Sequence, residues 1–153
     1  YSPVIAPVST TKPHVLIKGV NGAAETFIDG MGAGQCVNLT RSKYGVSYYY
    51  SATNTVMCGF TICNGYVPQG SGAGVDGGMF IDCIIERNVG YYYAAVHTAY
   101  LKNCIIRYNY SEDDASYSKP VPLPYGSILG ESRLENCLVY DNQSFYNIHK
   151  NFY

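Results

Sequence analysis

The stretch Leu101-Lys102-Asn103-Cys104-Ile105-Ile106-Arg107-Tyr108-Asn109 decides how this chain folds, because the chain says it repeatedly. Phe80-Ile81-Asp82-Cys83-Ile84-Ile85-Glu86-Arg87-Asn88 and Leu134-Glu135-Asn136-Cys137-Leu138-Val139-Tyr140-Asp141-Asn142 are the same phrase. Met57-Cys58-Gly59-Phe60-Thr61-Ile62-Cys63-Asn64-Gly65 keeps the phase, with Phe60 in the cysteine slot. The pattern is a large apolar residue, any residue, Asn/Asp/Gly, Cys or Phe, any residue, Ile or Val, then a polar exit with Asn or Gly. Phe60 and Cys83 are 23 residues apart, Cys83 and Cys104 21, and Cys104 and Cys137 33. A unit recurring at such a period marks a solenoid. The Leu-x-x-Leu-x-Leu-x-x-Asn phrase of leucine-rich repeats is missing, and no amphipathic helical pattern accompanies the repeat.

Alternation along a strand sends neighbouring side chains to opposite faces. Stacked turns then build three inward ladders: Met57/Phe80/Leu101/Leu134, Phe60/Cys83/Cys104/Cys137 and Ile62/Ile85/Ile106/Val139. Gly59, Asp82, Asn103 and Asn136 fall at a corner, where only residues tolerant of left-handed backbone fit well. The expected fold is all-β, a right-handed parallel β-helix of about six turns with three short strands per turn. Between the inward positions sit Thr61, Ile84, Ile105 and Leu138, which must point out. Ile84, Ile105 and Leu138 therefore form a candidate interface stripe, covered by a loop of the chain or by another subunit.

Outward from the phrases, residues 1–13 carry Pro3, Pro7 and Pro13 and read as an extended arm, since proline breaks helices and central strands. Its apolar Val4, Ile5 and Val8 are further interface candidates. Residues 14–153 form the β-helix domain, with His14–Gly30 as its first regular region and an insertion at 110–127. The insertion contains Glu112-Asp113-Asp114, best read as a solvated loop. Gly30-x-Gly32-x-Gly34 lacks the helix that a phosphate-binding loop requires.

The 153 residues suit one domain. The net charge of -1 provides no basic patch for nucleic acid. No stretch approaches the ~20 apolar residues of a membrane span. Only 14% of residues are charged while 17 are Tyr, against a typical charged fraction of about 25%. That balance describes a surface made to be contacted, since Tyr offers apolar area and a hydroxyl together. The chain begins at Tyr1, as a processed chain or a fragment would. Asn38, Asn109 and Asn142 stand in Asn-x-Ser/Thr sequons and are candidate glycosylation acceptors.

Of the six cysteines, Cys83, Cys104 and Cys137 share an inward slot, where Cys behaves as a small buried hydrophobe. Cys36, Cys58 and Cys63 fall outside it and are the better candidates for disulfide pairing. No spacing of zinc type is present. The acidic residues Asp76, Asp82, Glu86, Glu112, Asp113, Asp114 and Asp141 form no column of carboxylates. Glu86, for instance, meets Cys63, Arg107 and Tyr140 in the matching slots. His14, His97 and His149 lie far apart with no nucleophile motif beside them.

The four phrases, with Gly19-Val20-Asn21-Gly22 and Phe27-Ile28-Asp29-Gly30 upstream, resemble the right-handed parallel β-helix repeats of the pectate-lyase-like superfamily. The versions they are most similar to occur in large secreted and surface proteins of environmental bacteria. The resemblance spans about residues 14–145 and implies the fold. It does not imply one activity, since that superfamily includes lyases, hydrolases, tailspikes and adhesins, and none of its catalytic motifs has a match here.

The expected function is a non-catalytic, secreted structural subunit that self-associates head-to-tail into an extracellular filament or surface appendage. It needs no cofactor, metal or catalytic residue. Its expected partners are other copies of itself. The alternatives are a carbohydrate-binding or polysaccharide-lyase-like module, whose partner would be a glycan, and a fragment of a larger adhesin.

Overall fold

The computed structural model describes residues 7–10, 14–43, 46–51, 55–112 and 127–144. Among them the chain winds as a parallel β-helix, and no helix is long and apolar enough to cross a membrane. The first rung holds β1 (Val8–Ser9), β2 (Leu16–Lys18) and β3 (Phe27–Asp29). The second holds β4 (Val37–Asn38), a hairpin of β5 (Thr40–Lys43) and β6 (Val46–Ser51), then β7 (Val56–Cys58), β8 (Thr61–Cys63) and β9 (Tyr66–Val67). The third holds β10 (Val75–Asp76), β11 (Met79–Ile81), β12 (Ile84–Glu86) and β13 (Val89–Gly90). The fourth holds β14 (Tyr93–His97), β15 (Tyr100–Lys102), β16 (Ile105–Arg107) and β17 (Tyr110–Ser111). The fifth holds β18 (Ser127–Gly130), β19 (Arg133–Glu135), β20 (Leu138–Tyr140) and β21 (Gln143–Ser144).

Like strands stack into four parallel walls. Wall A is β1-β4-β10-β14-β18, wall B is β2-β7-β11-β15-β19, wall C is β3-β8-β12-β16-β20, and wall D is β9-β13-β17-β21. Two expectations change here. The described rungs number five rather than about six, and a full rung carries four wall strands rather than three. The hairpin explains the count. Thr40–Lys43 pairs antiparallel with Val46–Ser51, so this stretch leaves the winding instead of adding a turn.

The ladders follow the phrase. Wall B stacks Ile17, Met57, Phe80, Leu101 and Leu134 in register. Wall C stacks Ile28, Ile62, Ile85, Ile106 and Val139. Wall A adds Val8, Val37, Val75, Val96 and Leu129. In the middle rungs Met57, Ile62, Phe80, Ile85, Leu101 and Ile106 are all 0% exposed. Burying an aliphatic side chain this fully contributes about 1.5–3 kcal/mol. Cys83 and Cys104 are also buried, and Cys137 is partly buried.

Corners recur as left-handed residues. Gly59, Asp82, Asn103 and Asn136 have φ of 76°, 53°, 54° and 52°. They also form an outer amide ladder, in which Asn136 Nδ2 donates to Asn103 Oδ1 at 2.8 Å and Asn103 Nδ2 to Asp82 Oδ1 at 3.2 Å. A second corner uses Asn64, Arg87, Tyr108 and Asp141, at φ of 56°, 55°, 56° and 51°.

Just past that second corner lies a buried asparagine ladder. Asn109 Nδ2 donates to Ile85 O and Arg107 O at 3.0 Å and to Asn142 Oδ1 at 2.9 Å. Its Oδ1 accepts from the backbone and side-chain nitrogens of Asn88, both at 3.0 Å. Asn88 Oδ1 accepts from Gly65 N at 2.8 Å. Each side chain thus satisfies backbone groups that the turn would leave bare inside the solenoid. The ladder's lowest slot is Gly65 because a Cβ there would run into the Ala73 carbonyl.

Candidate functional site

The outward stripe of wall C is the column Phe27, Thr61, Ile84, Ile105 and Leu138. It is not uniform. Thr61 is buried, because the loop after β2 folds over it and the Thr61 hydroxyl donates to Ala23 O at 2.6 Å. Ile84 and Ile105 are half-buried, while Phe27 and Leu138 are 60% and 63% exposed. Wall B extends this apolar outer surface with Val56, Met79 and Ile81, all half-buried. Ile81 sits in the phrase's unconstrained slot and Val56 and Met79 just before the phrase begins, which is why the repeat does not reveal them.

The first and fifth rungs, the outermost described, differ from the middle ones. The apolar residues packed on the core yet only partly buried are Val8, Ile17 and Ile28 in the first rung and Leu129, Leu134, Cys137 and Val139 in the fifth. Every one lies in an inward ladder or the cysteine slot. Of the candidate interface residues in the arm, Val8 belongs to wall A rather than to a free arm, pairing with Val37. Val4 and Ile5 lie outside the described residues.

Polar groups on the outer faces pair with one another. Glu86 is buried and accepts from Arg107 Nε at 2.7 Å and from Arg87. Arg107 also donates to the Tyr140 hydroxyl at 3.1 Å, and these two bonds hold its guanidinium above the usual arginine range. On wall B, Glu135 accepts from Lys102 Nζ at 2.5 Å and from the Tyr100 hydroxyl. Lys102 first, then Tyr100, holds the Glu135 carboxyl below the usual range. On wall A, Asp76 Oδ1 bonds His97 Nδ1 and the Thr98 hydroxyl, each at 2.9 Å, while Tyr93 stacks on the imidazole. An open groove of about 560 Å³ is lined by Asp29, Met31, Asn64, Tyr66, Arg87 and Val89, among others. Exposed Tyr108 stands beside it, within 6.0 Å of the Arg87 guanidinium.

No three His, Cys, Asp or Glu side chains are placed to hold a metal ion among the described residues. Asp113, Asp114 and His149 lie outside them. His14 is exposed in the first rung, whereas the His97–Asp76 pair joins the third and fourth rungs.

Cys36, Cys58 and Cys63, the better candidates for pairing, carry free thiols, as do Cys83, Cys104 and Cys137. Strand alternation turns Cys58 outward toward Asp82. The Cys36 thiol instead donates to the Cys63 carbonyl at 3.2 Å. Burial pushes the Cys36 and Cys63 thiols up to about 12 and about 11, which keeps both protonated and inert.

Two glycosylation candidates are corrected. Asn109 and Asn142 are buried rungs of the asparagine ladder, with Asn142 Nδ2 donating to Ile106 O at 2.9 Å. A glycan on either nitrogen and the folded ladder exclude each other. Asn38 is half-buried, and its side chain bonds Gln35 and Thr40.

No protein-family model, curated protein or solved structure matches the chain.

Proposed function

We propose that this chain is a non-catalytic structural subunit, secreted or displayed at a cell surface, that self-associates end to end through its terminal rungs. One observation carries the proposal: the ladder residues that are sealed in the middle rungs are half-open in the first and fifth, the outermost described rungs. Open strand edges present unpaired backbone groups and template further pairing. A contact between unlike ends does not close on itself, so it propagates as a filament. The charge-poor, Tyr-rich composition supports an exterior built for contact. Membership of the pectate-lyase-like superfamily is part of this proposal, supported by the Asn/Asp corners and the stacked aliphatic ladders. Sedimentation velocity and electron microscopy of the purified chain test it. Growing oligomers with rising concentration are expected, and a monodisperse monomer throughout would sink it.

A second reading is a carbohydrate-binding or polysaccharide-lyase-like module, favoured by the groove at Asp29, Asn64, Tyr66 and Arg87 with Tyr108 beside it. Tyrosine faces stack on sugars, while Asp, Asn and Arg bond hydroxyls and carboxylates. Binding on a glycan array by the monomer, lost in Tyr66→Ala, would favour it. Polysaccharide cleavage in the presence of Ca²⁺ would separate the lyase from the binding module.

A further inference from the structure

We propose that the fifth rung of one copy receives the first rung of the next in the same register that joins neighbouring rungs within the chain. This inference rests on the self-association reading and names the joint.

The backbone supports it first. At each internal step of wall B, the upper strand's first N–H meets the carbonyl preceding the strand below, as in Tyr100 N to Gly78 O and Arg133 N to Ala99 O, both 3.0 Å. The corner N–H below meets the third carbonyl above, as in Asp82 N to Lys102 O and Asn103 N to Glu135 O, also 3.0 Å. Wall C repeats the first pattern, Ile105 N to Cys83 O and Leu138 N to Cys104 O at 2.9 Å. One further step with a second copy sets its Leu16 N–H on Ser132 O and its Phe27 N–H on Cys137 O. It also sets Asn136 N–H on that copy's Lys18 O.

The same step matches side chains column by column. Inside, Leu129 meets Val8, Leu134 meets Ile17, and Val139 meets Ile28, uniting the half-open residues of both ends. Outside, the exposed Leu138 meets the exposed Phe27. Glu135 meets Lys18, opposite charges in one column. Tyr140 meets Asp29, a hydroxyl donor against a carboxylate. Arg133 meets the exposed Leu16, over which its aliphatic stem can lie, and no facing pair sets like charges together.

Among the described residues, the two long turns of the first rung fold toward the second rung. The turn after β2 lies on Thr61 through the Ala23 carbonyl, and the turn after β3 bonds Asn64 O through Gly32 N at 2.8 Å.

A charge swap tests the register. In Lys18→Glu, two carboxylates face each other across the joint. The concentration needed for assembly should rise roughly tenfold or more, with circular dichroism of the monomer unchanged. The double variant Lys18→Glu/Glu135→Lys should restore assembly. Should Glu135→Lys impair folding by removing the partner of Lys102, Leu138→Asp is the second probe. Leu138 is exposed in the single chain, so the fold tolerates the change, yet assembly should be lost. If the wild type assembles and Lys18→Glu and Leu138→Asp assemble equally well, this joint is wrong while self-association stands. If the wild type stays monomeric at every concentration, the self-association reading fails and the joint with it.

Discussion

Leu101 and Leu134 are the same residue in the same column of the same wall, one rung apart, yet Leu101 is 0% exposed and Leu134 is only partly buried. The phrase around them is almost identical, so local sequence does not set the difference. What differs is the neighbour. Leu101 has Phe80 on one side and Leu134 on the other, whereas Leu134 has a described ladder partner on one side alone. In a solenoid each rung contacts chiefly its neighbours, so stability is a sum of nearest-neighbour terms and an end rung lacks one of them. The middle of this molecule is a finished core. In the first and fifth described rungs the same ladders are only partly buried.

The largest effect should come from truncating those two leucines. Leu101→Ala should cost about 3–4 kcal/mol, the range for a large-to-small change in a closed core. Leu134→Ala should cost about half as much in the monomer, because part of its side chain is already wet. Urea unfolding at dilute, non-assembling concentration measures both. Equal losses would break the comparison. Under assembling conditions the cost of Leu134→Ala should climb toward that of Leu101→Ala, since a second copy would supply the absent neighbour.

The asparagine ladder repeats the contrast in polar terms. Asn109→Ala deprives Asn88 N–H, Ile85 O and Asn142 Oδ1 of a partner in a buried site. Leaving buried polar groups unpaired costs about 1–3 kcal/mol each where relaxation and water do not relieve it. A total loss of about 2–3 kcal/mol is expected. Asn142→Ala, in the last described rung, should cost about 1–2 kcal/mol, because Asn142 is 9% exposed against 1% for Asn109 and water can reach the gap it leaves. Amide exchange adds a local readout: the Asn88 amide should lose protection in Asn109→Ala and keep most of it in Asn142→Ala. Protection unchanged in both variants would mean that the ladder does not hold the turn.

How legible all this is in the sequence follows the same division. The inward ladders are written in the phrase, because alternation and a constant period place Cys83, Cys104, Ile85 and Ile106 without reference to anything distant. The corner at Asp82, Asn103 and Asn136 is legible for a similar reason, since few residue types accept its backbone. The asparagine ladder was also written there. Asn88, Asn109 and Asn142 each stand five residues after the cysteine slot, with Gly65 five after Phe60. A polar residue at a fixed offset looks like a solvated exit, however, and two of these residues also complete sequons. A buried amide satisfied by its own copies above and below is a property of the stack, not of one turn. The hairpin at Thr40–Ser51 escaped because Ser47-Tyr48-Tyr49-Tyr50 has strand propensity that suits a wall and a ribbon equally. Burial of Thr61 escaped because a loop 38 residues upstream in sequence covers it. The candidate site was half legible: Leu138 in the stripe was visible, while the joint needs the register of both ends.

The smallest effect concerns charge at the fifth rung. Lys102 Nζ, 2.5 Å from Glu135, and then the Tyr100 hydroxyl hold the folded carboxyl below its ordinary value. A depressed carboxylate contributes stability that is present above the unfolded value, about pH 4.3, and is lost as pH falls through the lower folded value. The pair is exposed, so solvent screens it and the effect on overall stability should be slight. The carboxyl itself is the better gauge. Followed by NMR in the monomer, Glu135 should titrate below an ordinary glutamate, and Lys102→Gln should bring it partway back, with Tyr100 still donating. A wild-type Glu135 that titrates normally would show that this corner is solvated rather than paired. If Lys18 of a second copy does arrive in the same column, assembly should lower the Glu135 midpoint again. The same glutamate in monomer and polymer then reports whether the fifth rung has become a middle rung.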